Sequence, residues 1–145
     1  MSLLTRAHIE TMLKLQHQSN IIAVGPQYFY DGLNYVLAIS QEYSELIDWT
    51  PWKWWKKGEL NLDQIQLELV DVWHFGLSDM LRHYLVRTNS YIPIVNREEF
   101  TDEQIATAIQ SCASFIYKQQ MEASKYSSSI RLRIDEEGNA AGAII

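Results

Sequence analysis

The spacing of apolar residues along the chain is helical over four stretches. Apolar side chains recur every three or four positions in each stretch, which is the period of one face of an α-helix. We predict helices over residues 5–20, 33–48, from 61 or 63 to 87, and 101–124. Successive helices joined by connections of moderate length favour an all-α fold, with a four-helix-bundle-like core of antiparallel helices.

Turn-forming residues mark the ends of these stretches. Gly25-Pro26 and Asp31-Gly32 interrupt the helical pattern, and Thr101 with Gln104 matches a capping box. After residue 126, three successive serines predict a helix end, and residues 130–134 alternate like a short strand. We therefore predict one domain over residues 1–126, followed by an irregular or flexible tail over residues 127–145.

Composition and charge restrict the classes of protein that fit. The 145 residues are 47% hydrophobic, which excludes a disordered chain, and no apolar run is long enough for a membrane span. The net charge of −6 argues against a nucleic-acid partner, because such proteins neutralise phosphates with basic residues. The single cysteine, Cys112, cannot form an intrachain disulfide, and this indicates a reducing, cytoplasmic location.

Two pairs of acidic residues carry the strongest chemical signal. Glu42 and Glu45 lie three apart on the second predicted helix, and Glu68 and Asp71 repeat this spacing on the third. Each pair projects from one side of a helix, so antiparallel packing would bring the four carboxylates together. Such a cluster would resist ionisation unless a hard cation such as Mg²⁺ were bound. The alternative is that the four acidic residues lie on ordinary solvent-exposed helix faces. The apolar sequence around both pairs argues against this alternative.

A tryptophan- and lysine-rich segment separates the two acidic pairs. Residues 49–57 contain four of the five tryptophans together with three lysines, Lys53, Lys56 and Lys57. Indole rings can stack on a nucleobase and ammonium groups can neutralise phosphate. The alternative is an apolar plug over one end of the bundle, with the lysines reaching outward. The position between the acidic pairs favours a nucleotide.

Three further polar residues lie on otherwise apolar helical faces. Gln16 and Asn20 continue the apolar stripe of the first helix, and an amide could recognise the edge of a nucleobase. The same amides could equally satisfy backbone groups or each other. His74 is one helical turn from Asp71, and we expect a structural rather than a catalytic role for it, since no nucleophile is evidently placed beside it.

These segments together resemble the dimeric all-α dUTP pyrophosphatases, relatives of the MazG-type nucleotide pyrophosphohydrolases. The resemblance covers about residues 8–87. It rests on four segments, which are Met12-Leu-Lys-Leu-Gln16 with Asn20, Glu42-Tyr-Ser-Glu45-Leu-Ile-Asp48, Trp52-Lys53-Trp54-Trp55-Lys56, and Glu68-Leu-Val-Asp71-Val-Trp-His-Phe75.

The resemblance implies an Mg²⁺-dependent hydrolase, with Mn²⁺ as a substitute, that converts dUTP to dUMP in a homodimer. It implies Glu42, Glu45, Glu68 and Asp71 as metal ligands, with Glu45 also orienting the attacking water. The implied substrate-binding residues are Gln16, Asn20 and Trp55 at the uracil, and Lys53 and Lys56 near the rest of the nucleotide.

Two other functions fit the same residues. The metal site could serve a dCTP-specific or broad-specificity MazG-like pyrophosphatase that removes unwanted deoxynucleoside triphosphates. The chain could also be a helical bundle without catalytic activity that binds a nucleotide or a partner helix through its tryptophans. We expect the dUTP-hydrolysing enzyme.

Overall fold

The computed structural model describes residues 4–88 and 100–137, and it describes side chains over residues 4–86 and 100–126. Within these residues there are four helices and no strand, which confirms the all-α prediction. The helices are α1 (Arg6–Ala23), α2 (Tyr35–Asp48), α3 (Leu62–Thr88) and α4 (Asp102–Glu137).

Short polar side chains begin each helix. Thr5 and Asn34 accept hydrogen bonds from the backbone N–H groups of His8 and Leu37, and Asn61 does the same for Gln64. The predicted capping box before α4 is present, because Thr101 and Gln104 each bind the backbone N–H of the other. These caps satisfy N–H groups that have no partner within the helix and so define where each helix begins.

Helices α1, α3 and α4 form the main core. Its buried side chains come from all three helices and are Ile9, Leu13, Leu77, Leu81, Ile109, Cys112 and Ala113. A second cluster packs Tyr28 and Phe29, from the connection after α1, against Leu85, Phe100 and Ala108. This core packs α1 against α3 on the buried face of α1, which also carries Gln16 and Asn20.

Helix α2 packs only on α3 among the described helices, so the arrangement is three core helices with a fourth attached to one of them. The guanidinium of Arg82 lies 5.1 Å from the centre of the Tyr35 ring at the start of α2. The indole of Trp49, just after α2, hydrogen-bonds Glu68 near the start of α3. Rising residue numbers in α2 thus meet falling numbers in α3, and the two helices are antiparallel.

The prediction that the serines at 127–129 end the fourth helix is wrong, and so is the strand predicted at 130–134. Helix α4 continues through both to Glu137. Serine costs a helix only a fraction of a kcal/mol relative to alanine, about 0.5 kcal/mol, and Ile130 and Ile134 also have the four-residue spacing of a helix. Residues 138–145 of the predicted tail lie outside the described residues. None of the described helices is both long and apolar enough to cross a membrane.

Candidate active site

Three of the four predicted acidic residues converge between α2 and α3. Glu42, Glu68 and Asp71 each offer a carboxylate oxygen, and these oxygens all lie within 4.8 Å of one another. Glu42 comes from α2 and the other two from α3, so the antiparallel packing of the two helices creates the cluster. Glu68 is buried and Asp71 is exposed, so the cluster extends from the interior to the surface.

The electrostatics of this cluster favour a bound cation. Burial, together with the negative charges of Glu45, Asp71 and Glu68, raises the pKa of Glu42 above its usual range. Among the described side chains, no lysine or arginine forms an ion pair with Glu42, Glu68 or Asp71. Within the described part of the chain the acidic residues thus have no basic side chain as a counter-charge, and a divalent cation with oxygen ligands would supply one.

Trp49 supports the buried member of the cluster. Its indole N–H donates a hydrogen bond of 3.2 Å to Oε1 of Glu68. One carboxylate oxygen is thus held by the indole, which fixes the orientation of the side chain. The sequence pattern gave no sign of this contact, because Trp49 and Glu68 are nineteen positions apart in the chain.

Glu45 is one turn from Glu42 and is not part of the converging group. Its side chain is exposed, and its Oε1 accepts a hydrogen bond of 2.9 Å from the amide of Gln41. Of the acidic residues that the resemblance assigns to a metal, Glu45 is thus the one that lies outside the converging group.

The amides of Gln16 and Asn20 are buried and face α3. Gln16 Nε2 donates a hydrogen bond of 2.8 Å to Asn20 Oδ1, and Asn20 Nδ2 donates one of 3.1 Å to the hydroxyl of Ser78. Gln16 Oε1 accepts a hydrogen bond from Nδ1 of His74. Because His74 follows Asp71 by three residues on α3, the amides are about 4.5 Å farther along the helix axis than the acidic cluster.

Two aromatic groups complete this polar region. The hydroxyl of Tyr28 is 3.0 Å from Nδ1 of His17. Burial raises the pKa of Tyr28 and lowers that of His17, so burial favours the neutral form of both side chains. Sequence spacing gave no sign of Ser78 or Tyr28, because their partners lie on elements that are distant in the chain.

The tryptophan segment connects α2 to α3 and is largely exposed. Trp54 and Trp55 are 90% and 59% exposed, and their rings meet edge to face at 5.6 Å. Lys53 forms an ion pair with Asp48 at 2.5 Å, which lowers the pKa of that carboxyl group, and its ammonium lies 5.3 Å from the centre of the Trp52 ring. Lys56 is exposed. The tryptophans and lysines named here all lie in the connection between α2 and α3, which begins at Trp49 beside Glu68.

The fold and the site together define a class of protein: an all-α chain with an acidic cluster between two antiparallel helices and buried amides one turn away. The profile of the dUTPase family matches residues 7–139, and the chain belongs to this family. Its activity is therefore that of a dUTP diphosphatase, a hydrolase that acts on phosphoric anhydrides. Enzymes of this family generally use a divalent metal.

The family match confirms the resemblance to the dUTPases inferred from the sequence and extends it. The motifs that suggested the family ended at about residue 87, whereas the match includes all of α4. Comparison with curated proteins gave no match, and neither did comparison with solved structures.

Proposed function

We propose that this chain hydrolyses dUTP to dUMP and pyrophosphate, with Mg²⁺ bound by Glu42, Glu45, Glu68 and Asp71 and with Mn²⁺ as a substitute. The observation that carries this proposal is the convergence of three carboxylates within 4.8 Å, without an internal counter-charge among the described residues. Oxygen donors at this spacing suit a hard divalent cation, and soft ligands are absent from the cluster.

Bound Mg²⁺ would neutralise phosphate oxygens and make a coordinated water more acidic. Glu42, Glu45, Glu68 and Asp71 would hold the ion, with Glu68 kept in place by the Trp49 indole. Glu45, whose carboxylate is exposed and lies outside the converging group, would in addition orient the attacking water and accept its proton.

The nucleoside would lie along α3 from the acidic cluster toward the buried amides. Gln16 and Asn20 lie about one helical turn beyond Asp71, on the side of α3 that faces α1. We propose that they contact the uracil and that the exposed ring of Trp55 covers the nucleotide from the loop. Lys53 and Lys56 would then contact the phosphates, and Lys53 would exchange its present partner Asp48 for a phosphate oxygen.

The proposal predicts uracil-selective release of pyrophosphate that depends on a divalent cation. Each of the common deoxynucleoside triphosphates would be incubated with the protein and Mg²⁺, with Mn²⁺, and with a chelator, and pyrophosphate would be measured. We expect dUTP to be the best substrate and the chelator to remove activity, with recovery when excess Mg²⁺ is added. Preference for dCTP or equal use of all bases would contradict the uracil assignment, and full activity in chelator would contradict the metal assignment.

We also propose that the functional unit is a homodimer in the cytoplasm. Of the described helices, α2 contacts α3 and no other, and large apolar side chains are exposed on three helices: Leu15 and Ile22 on α1, Val36 and Leu37 on α2, and Leu67, Leu69 and Val70 on α3. Exposed apolar surface of this kind is typical of protein interfaces. The single, unpaired Cys112 supports a reducing compartment.

The dimer predicts a sedimenting species of twice the 16.9 kDa chain mass. Leu37→Glu should weaken association, because it places a charge among the exposed apolar groups of α2. Leu60→Glu, in the loop before α3, is the matched control and should remain associated. Sedimentation equilibrium over a range of concentrations measures both, and a wild-type protein that stays monomeric throughout would contradict the proposal.

A further inference from the structure

A closed ring of hydrogen bonds links two residues of α1 to two residues of α3. The backbone carbonyl of His74 accepts from the Ser78 hydroxyl at 3.0 Å, and Ser78 Oγ accepts from Asn20 Nδ2 at 3.1 Å. Asn20 Oδ1 accepts from Gln16 Nε2 at 2.8 Å, and Gln16 Oε1 accepts from the ring of His74. The ring thus begins and ends at His74.

In the orientation that the structure gives to its amides, this ring runs in one direction. The backbone carbonyl of His74 can only accept, so Ser78 donates to it, and the Ser78 oxygen accepts from Asn20 Nδ2. Asn20 Oδ1, at 3.2 Å, is an alternative acceptor for the single hydroxyl proton of Ser78. With Asn20 fixed, Gln16 turns its N–H₂ group toward Asn20 and its carbonyl oxygen toward the Nδ1–H of His74.

The ring leaves hydrogen-bonding groups free on Gln16. Asn20 uses its N–H₂ group on Ser78 and its oxygen on Gln16. Gln16 has used one N–H and one lone pair, so it retains one N–H donor and one acceptor lone pair. An amide edge with both groups can pair with two neighbouring atoms of a pyrimidine, and its orientation decides which pyrimidine fits.

Uracil and cytosine present opposite edges to such an amide. Uracil places a carbonyl acceptor beside a donating ring N–H, whereas cytosine places a donating amino group beside an accepting ring nitrogen. If the Gln16 amide were free to rotate by half a turn, it could serve either base equally well. An amide held in one orientation matches the donor and acceptor groups of one of these bases. Against the other base it leaves hydrogen-bonding groups unpaired.

We propose that His74 and Ser78 are positioning residues that fix the amide orientation of Gln16 and thereby select uracil over cytosine. This inference rests on the proposed function, in which Gln16 contacts the base. His74 acts through its imidazole on Gln16, and Ser78 acts through Asn20. Both belong to α3, the helix that also carries Glu68 and Asp71, so one helix sets the base preference and holds part of the acidic cluster.

The test compares His74→Leu and Ser78→Ala with a conservative variant and a control. His74→Asn keeps an N–H donor on the same γ-carbon and should preserve the orientation of Gln16, whereas leucine, of similar size, removes the donor. His83→Leu is the matched control, because His83 is an exposed histidine on the same helix. Its ring contacts the ring of the neighbouring Tyr84 and lies outside the hydrogen-bonded ring.

The measured quantity is the ratio of kcat/KM for dUTP to that for dCTP with Mg²⁺. We expect this ratio to fall at least about tenfold in His74→Leu and in Ser78→Ala, with the change mainly in KM for dUTP. His74→Asn and His83→Leu should stay within about threefold of the wild-type ratio. A role in stability alone would lower the two efficiencies together and leave their ratio unchanged.

Binding without turnover gives an independent readout. Calorimetry with dUMP and dCMP in the presence of chelator should show the same loss of preference, even in a variant whose hydrolysis is too slow to assay. An unchanged dUMP-to-dCMP ratio in folded His74→Leu and Ser78→Ala would overturn the inference while leaving the proposed function intact. A wild-type protein without any preference for uracil would overturn the base-contacting role of Gln16 and, with it, this inference.

Discussion

Replacing Glu45 with glutamine is expected to lower turnover of dUTP by about 10³-fold or more at saturating Mg²⁺, without loss of the fold. The substitution keeps the size of the side chain and removes its ability to accept a proton. Glu45 is exposed, and the hydrogen bond that it accepts from the Gln41 amide can also be made to a glutamine carbonyl oxygen. Local structure should therefore be retained while proton transfer from the attacking water is lost.

Steady-state pyrophosphate release measures this effect, and far-ultraviolet circular dichroism verifies the helices. Glu103→Gln, an exposed acidic residue in the first turn of α4, is the matched control and should retain full turnover. The Mg²⁺ concentration needed for half-maximal rate should rise in Glu45→Gln, because one proposed ligand is lost. Wild-type turnover in a folded Glu45→Gln protein would refute the role proposed for this residue.

Replacing Glu68 with glutamine should abolish metal binding and activity together. Glu68 is the buried member of the acidic cluster, and Trp49 already holds one of its oxygens. Loss of the charge should weaken Mn²⁺ binding by more than the roughly 10- to 100-fold seen when residues that merely support a metal ligand are changed. Turnover should fall below detection, since the cation would no longer be held beside the phosphates.

The same substitution should have the opposite effect on the metal-free protein. Glu42, Glu68 and Asp71 repel one another, which contributes to the raised pKa of Glu42. Removing one charge relieves this repulsion, so the melting temperature of Glu68→Gln in chelator should equal or exceed that of the wild type. Mg²⁺ should then raise the melting temperature of the wild type alone.

Calorimetry with Mn²⁺ and thermal melts with and without Mg²⁺ distinguish these effects. Asp63→Asn is the control for α3, because Asp63 is an exposed acidic residue in its first turn and lies outside the cluster. Unchanged Mn²⁺ affinity in Glu68→Gln would contradict the proposed ligand set. A large loss of stability in chelator would show instead that Glu68 is primarily a structural residue.

The sequence by itself determined where helices form and which residues they bury. The stripe of α1 predicted that Gln16 and Asn20 would follow Ile9 and Leu13 onto the buried face, and all four are buried there. Caps and apolar spacing located the helix starts, because both act within one or two turns of the chain. The predicted convergence of acidic residues is confirmed for Glu42, Glu68 and Asp71, since their spacing along each helix is a local property.

The far end of α4 shows the limit of local patterns. Three serines and an alternating segment predicted a break, yet the helix continues to Glu137. The preferences involved are fractions of a kcal/mol per residue, about 0.5 kcal/mol for serine, so a few neighbouring residues can outweigh them. The sequence therefore determined that a helix lies here but not where it ends.

Only the tertiary structure decided which side chains meet. It separated Glu45 from the other three acidic residues, and it packed α2 on α3 and on no other helix that the structure describes. It also placed His74 and Ser78 against Gln16 and Asn20, fifty-eight positions away in each case. Helical periodicity fixes the direction of a side chain relative to its own helix, whereas its partner depends on how separate helices pack.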